Sequence, residues 1–154
     1  MRLAGLPLPA FILCMALTGC GYSTDATALL TTEDVQLPDG AHIRAEVKRT
    51  SSEKARGMMY RDSLPRDQGM LFVNARPERA AYWMANCRIA LDIIWMNAAR
   101  QVVEISAATP PCPAGGYDCP SFGGHEAAQY VLELNAGEAQ KHAVRVGSAL
   151  LFNL

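Results

Sequence analysis

Residues 82–97, YWMANCRIALDIIWMN, decide how this chain is read. Two apolar runs, Ala80 to Asn86 and Leu91 to Met96, lie a few residues apart, and each is rich in the aromatic or β-branched side chains of buried strands. Asn97-Ala98-Ala99-Arg100 then turns into Gln101-Val102-Val103-Glu104-Ile105, and the three segments together predict an antiparallel meander. Asn86, Cys87 and Asp92 interrupt the apolar pattern. They are either a working site or the polar fittings of a fold.

Upstream, VQLP and AHIRAEVKR flank the turn Pro38-Asp39-Gly40, and Ile43, Ala45 and Val47 alternate with charged residues, as in a hairpin with one wet face. Thr50-Ser51-Ser52-Glu53 has capping-box spacing and predicts a short helix from Ser51 to Gly57. Met70 to Val73 reads as a short buried strand. Downstream, Gln129 to Leu134 predicts a strand, Asn135 with Glu138 the N-cap of a second short helix ending near Val144, and Gly147 to Phe152 a closing strand. Seven or eight short strands with two short helices predict a mainly β fold, an antiparallel β sandwich or barrel-like domain.

The N-terminus carries different information. Residues 1–19 hold one charge, Arg2, then an apolar run from Leu3 to Leu17, the layout of a secretory signal peptide and too short for a comfortable membrane span. Leu17-Thr18-Gly19-Cys20 resembles the bacterial lipobox, which makes Cys20 the lipidated first residue of an exported, membrane-anchored lipoprotein facing the periplasm. An ordinary signal peptide cut near Gly19 is the competing reading. The polar stretch that follows suits a flexible tether over residues 20–34, ahead of a folded domain at 35–154. Gly21, in place of an aspartate after the cysteine, favours the outer membrane. Loss of residues 1–19 removes only Arg2 and leaves 13 basic and 15 acidic side chains, with no basic stripe for nucleic acid.

An oxidising compartment gives the remaining cysteines a meaning. Cys112 and Cys119 lie in the loop TPPCPAGGYDCPSFGG. A disulfide there closes a short loop and stabilises the fold by about 2.5 kcal/mol on chain-entropy arithmetic. A metal site of these two with His125 is the sharper alternative. Cys87 then reads as a buried thiol acting as a small hydrophobe.

Asp92, among Leu91, Ile93, Ile94 and Trp95, needs a partner, because a lone buried carboxylate costs several kcal/mol. Arg56 and Arg61 are its expected partners and Asn86 an amide donor, forming an internal polar clamp. The same four residues are the candidates for acid/base catalysis. Strand periodicity sends Trp83 and Met84 to opposite faces, so one of them, with Asn86, is a candidate ligand-binding surface. No Gly-x-Ser-x-Gly elbow, Walker loop, HExxH helix or C-x-x-C pair is present, and His42, His125 and His142 lack ligand spacing. Thioethers of Met58, Met59, Met70, Met84 and Met96 suit Cu(I). Methionine is far more often core filler, so neither metal nor cofactor is expected.

Five blocks then fall in register. Arg56-Gly57-Met58-Met59-Tyr60-Arg61, Gly69-Met70-Leu71-Phe72, Tyr82-Trp83-Met84-Ala85-Asn86, Leu91-Asp92-Ile93-Ile94 and Tyr130-Val131-Leu132-Glu133-Leu134-Asn135-Ala136-Gly137 resemble the motifs of the DUF192 family across about residues 35–153. The resemblance implies a compact, mostly β domain, often exported, and no particular reaction. Ala85 and Ala90 stand where the family usually has lysine and proline, so no role of that lysine transfers. Two functions follow as expectations. One is a lipid-anchored binding or accessory module for a small ligand or an envelope protein, using Trp83, Met84, Asn86 and the 108–126 loop. The other is a hydrolase or acid/base enzyme centred on Asp92.

Overall fold

The computed structural model describes Met1, residues 31–113 and residues 118–154. The expected signal peptide, the expected lipobox with Cys20 and most of the expected tether lie outside the described residues. The first strand, β1 (Thr32–Gln36), starts inside the segment assigned to the tether and pairs with β2 (His42–Lys48) across the expected turn. Gly40 takes φ +86° there, and the Asp39 carboxylate accepts from the Ala41 N–H at 3.0 Å. Helix α1 (Ser51–Arg56) has the expected capping box: the Thr50 hydroxyl accepts from the Glu53 N–H, and the Glu53 carboxylate accepts from the Thr50 N–H. The Thr50 N–H and hydroxyl and the Arg49 N–H, all donating to the Glu53 carboxylate, hold it well below its usual range, at about 2.

Strand β3 (Gln68–Glu78) is followed by the short β4 (Tyr82–Trp83), then β5 (Leu91–Met96) and β6 (Val102–Thr109). The two-residue β7 (Ser121–Phe122), β8 (Ala128–Asn135) and a four-residue α2 (Glu138–Lys141) complete the elements. One mixed sheet runs β1-β2-β3-β8-β5-β6, and β4 and β7 form a second, two-stranded one. The fold is mainly β with two short helices, as expected, but the sheet is neither wholly antiparallel nor closed into a barrel. Strands β2 and β3 pair in parallel. The connection containing α1 makes this possible, since a parallel pair needs a crossover that no hairpin supplies.

Three further expectations are corrected. The meander loses its first strand, because after Trp83 the chain turns tightly, with the Cys87 N–H bonded to the Met84 carbonyl and Asn86 at φ +58°, so β4 pairs with β7 instead. The place beside β5 goes to β8. The second helix is N-capped by Gly137, whereas Asn135 is the last residue of β8 and donates to the Leu64 carbonyl. The segment after Gly147 forms isolated bridges, Gln101 to Ala149 and Gln36 to Leu151, that reach both edges of the open sheet.

The three central strands are buried on both faces, and period-two alternation divides their side chains between two cores. Leu71, Ile94, Met96, Tyr130, Leu132 and Leu134 join one core with Val35, Ile43, Val144 and Phe152. Met70, Phe72, Leu91, Ile93, Trp95 and Val131 join the other with Met58, Leu64, Met84 and Cys87. Trp95 anchors this second core; its indole N–H donates to the Ala80 carbonyl at 3.1 Å. Its ring also packs flat against Gly123, where an added Cβ would lie 2.4 Å from the ring and φ is +63°. Gly123→Ala is therefore expected to lower unfolding free energy by about 1–3 kcal/mol through overpacking, read by urea denaturation.

Candidate functional site

Asp92 is 1 % exposed and satisfied by backbone alone. One carboxylate oxygen accepts from the Ala108 N–H at 2.8 Å, the other from the Ala139 N–H at 2.9 Å. Ala108 takes φ +48° where the β5–β6 register shifts between Leu91 and Ile93, so the first bond stitches a bulge to its neighbouring strand. The second caps α2 from across the fold, because Gly137 supplies no side-chain cap.

The expected arginine clamp does not form. Both Arg61 guanidinium nitrogens donate to the Glu46 carboxylate at 2.7 Å, and Arg56 is exposed at the end of α1. Asn86 turns its amide toward the Met59 sulfur at 3.9 Å, and its carbonyl accepts from the Tyr60 N–H. The reason lies in the sheet. Asp92 shares a face with Ile94 and Met96, whereas Met58, in the segment that leads to Arg61, packs on the opposite core. The enzyme reading centred on Asp92 thereby loses its acid to a structural role. Asp92→Ala orphans two backbone donors and is expected to cost about 2–4 kcal/mol in urea unfolding, with Asp92→Asn, which keeps one acceptor, losing less.

The opposite face holds a cavity of about 230 Å³ where α1 and the segment after it cover the sheet. Its walls are Lys54, Ala55, Gly57, Met58, Met59, Phe72, Ala81, Tyr82, Trp83, Cys87 and Glu133. Of the expected ligand-binding residues, only Trp83 reaches it. Alternation acts as read, with Trp83 49 % exposed at the mouth and Met84 1 % exposed in the core behind. Phe72 and Tyr82 meet edge to face at 5.1 Å, and Tyr82 and Trp95 at 5.8 Å, which fixes the aromatic wall. The 108–126 loop braces that wall. Trp83 pairs with Ser121, Ala85 bridges Cys112, and the expected disulfide joins Cys112 to Cys119 with Cα atoms 6.0 Å apart. His125 instead bonds Glu104 at 2.6 Å, and no group of three or more metal-ligating acidic, histidine or cysteine residues occurs among the described residues.

Glu133 is the residue sequence reading missed. It is 5 % exposed, and its Oε2 has no hydrogen-bond partner. Burial pushes its carboxyl up to about 8, opposed only in part by the charge of Arg61. A signal existed in YVLEL, since β8 is central and Glu133 faces the same side as Val131, so it enters a core as surely as Asp92 does. Beside it, burial and then Glu133 push the Cys87 thiol up to about 11, which leaves it un-ionised and a poor nucleophile at neutral pH.

Glu133 also sets a pH signature. The unfolded carboxyl ionises near 4.5 and the folded one near 8, so the native state holds an extra proton between these values and stability falls as pH rises through that window. Glu133→Gln is expected to flatten this slope. Its melting temperature should exceed the parent's by several degrees near pH 9 and converge with it near pH 4, by calorimetry.

An open mixed sheet with two short helices, and a cavity beneath α1, defines the class of domain. The family model for DUF192, described as an uncharacterised ACR, matches residues 34–152, and the chain belongs to that family. A crystal structure of a protein of unknown function from Novosphingobium aromaticivorans is 33 % identical, with a TM-score of 0.69 over 79 % of this chain and 84 % of that one. A Sinorhizobium meliloti structure, carried under the provisional description of a transcription regulator, is 27 % identical, with a TM-score of 0.70 over 80 % of this chain and 95 % of that one. No curated protein matches.

Proposed function

We propose that this chain is an exported, lipid-anchored cell-envelope protein whose β domain is a binding module, with the cavity beneath Trp83 as its site. The observation that carries the binding reading is the half-exposed Trp83 at the mouth of a cavity whose inner wall holds a buried, unpartnered carboxyl. Polar groups left open in an apolar cleft are the usual mark of a place that something else completes. The anchor rests on the sequence alone, on the apolar head and Leu17-Thr18-Gly19-Cys20. Arg61 pairs with Glu46, Arg56 is exposed and Asp92 is sealed, so a hydrolase built on Asp92 is not favoured. If the site does acid/base work, Glu133 is the carboxyl placed for it, with a pKa near the working pH.

Two measurements test this reading. Full-length protein made in a Gram-negative host with an alkyne-labelled palmitate is expected to carry the label and partition with membranes, and Cys20→Ser to do neither. Native mass spectrometry of the detergent-solubilised protein, after exposure to a low-molecular-weight cell extract, is expected to show a bound small molecule that Trp83→Ala loses. An unlabelled, soluble parent overturns the anchor. A parent that stays empty overturns the binding module.

A further inference from the structure

The cavity's chemistry narrows what it takes, given that it is the binding site. At about 230 Å³ it falls below the roughly 300–1,000 Å³ of pockets for drug-sized ligands, so its occupant is small. Its lining includes three aromatic side chains, Phe72, Tyr82 and Trp83, the thioethers of Met58 and Met59, and Glu133 with an open oxygen. An anion would be repelled by Glu133 wherever that carboxyl ionises. Lys54, the one cation on the wall, is tied to the Asn74 side-chain oxygen at 2.7 Å, and Arg61 is held by Glu46 at 2.7 Å. A polyol would need several polar partners, and the inner wall offers one. A cation gains from the aromatic lining and from the open carboxyl, to which it supplies the missing partner, and Lys54 is turned toward Asn74.

We propose that the cavity binds a small organic ammonium ion, with Glu133 as its counter-ion and Phe72, Tyr82 and Trp83 among the residues that line it. Binding then ionises Glu133, and the displaced proton goes to solvent. The groups facing Glu133 are Lys54 from α1, Arg61 from the following segment, Tyr82 from β4 and Cys87 from the turn, while its neighbours across β3 and β5, Met70 and Ile93, are apolar. Tyr82 and Cys87 are both pushed upward, so neither titrates below Glu133. Affinity for the cation is therefore expected to rise about tenfold per pH unit up to the apo carboxyl's value near 8 and to level off above it.

The test uses full-length protein in a maltoside detergent, with choline and ethanolamine as probes, each set against the alcohol in which carbon replaces the ammonium nitrogen. Trp83 lines the cavity and Trp95 touches its wall through Tyr82, so tryptophan fluorescence reports occupancy, and calorimetry gives the affinity. At least one cation is expected to saturate the site and to bind tenfold or more tighter than its carbon counterpart near pH 9. Glu133→Gln should bind it tenfold or more weaker there and lose the pH dependence, with its near-ultraviolet circular dichroism unchanged. A carbon counterpart that binds equally well overturns the cation and leaves the binding module standing. Equal, pH-independent binding by Glu133→Gln overturns the counter-ion. Silence from both cations overturns the proposal, while the extract experiment decides the module separately.

Discussion

The two carboxylate oxygens of Asp92 join three parts of the chain that nothing else brings together so directly. One bonds to Ala108 at the irregular end of β6, the other to Ala139 in the first turn of α2, and the residue itself lies in the fully buried β5. A charge taken out of water is tolerable only when its lone pairs are met, and here the main chain meets them. The bulge and the short helix depend on the same side chain, because neither has the length or the local capping to hold itself. The ladders set the order of β8, β5 and β6, and Asp92 ties the irregular end of one of them to α2.

Glu133 is the counterpart on the other face. It sits one strand away, in β8 beside β5, opposite Ile93 in register, and its side chain enters the second core without an equivalent set of donors. One sheet thus carries one satisfied and one unsatisfied carboxyl, back to back. The satisfied one organises the face closed by α2 and the C-terminal segment. The unsatisfied one lies where α1 and its following segment cover the sheet loosely enough to leave a cavity. The division of labour between the faces comes from a single rule, the alternation of side chains along the central strands.

Much of the fold was legible because it is written locally. The turn at Asp39-Gly40, the capping box of Thr50 and Glu53, and the alternation that exposes Trp83 and buries Met84 all involve residues close in sequence. The disulfide between Cys112 and Cys119 was legible too, from a short loop with two cysteines in it. What sequence reading missed was pairing at a distance. Nothing near residues 44–48 announces that β3 will lie alongside in parallel, and nothing near Leu91 says that β8 displaces β4. The partners of Asp92 were misassigned for a related reason. Arginine is the obvious answer to a buried carboxylate in sequence, whereas backbone N–H groups, which every non-proline residue carries, leave no mark in it. Glu133 escaped notice because its strand identified a family before it posed a chemical question.

The C-terminal segment touches both edges of the sheet, through Leu151 at Gln36 and Ala149 at Gln101. The first strand therefore waits for almost the last residues of the chain. The β1–β2 hairpin forms from local contacts, yet the edge at Gln36 stays unprotected until Leu151 is in place. The segment around Ala149 and Leu151 is a clasp on both margins at once, and a chain cut ahead of it would hold a sheet with both edges open.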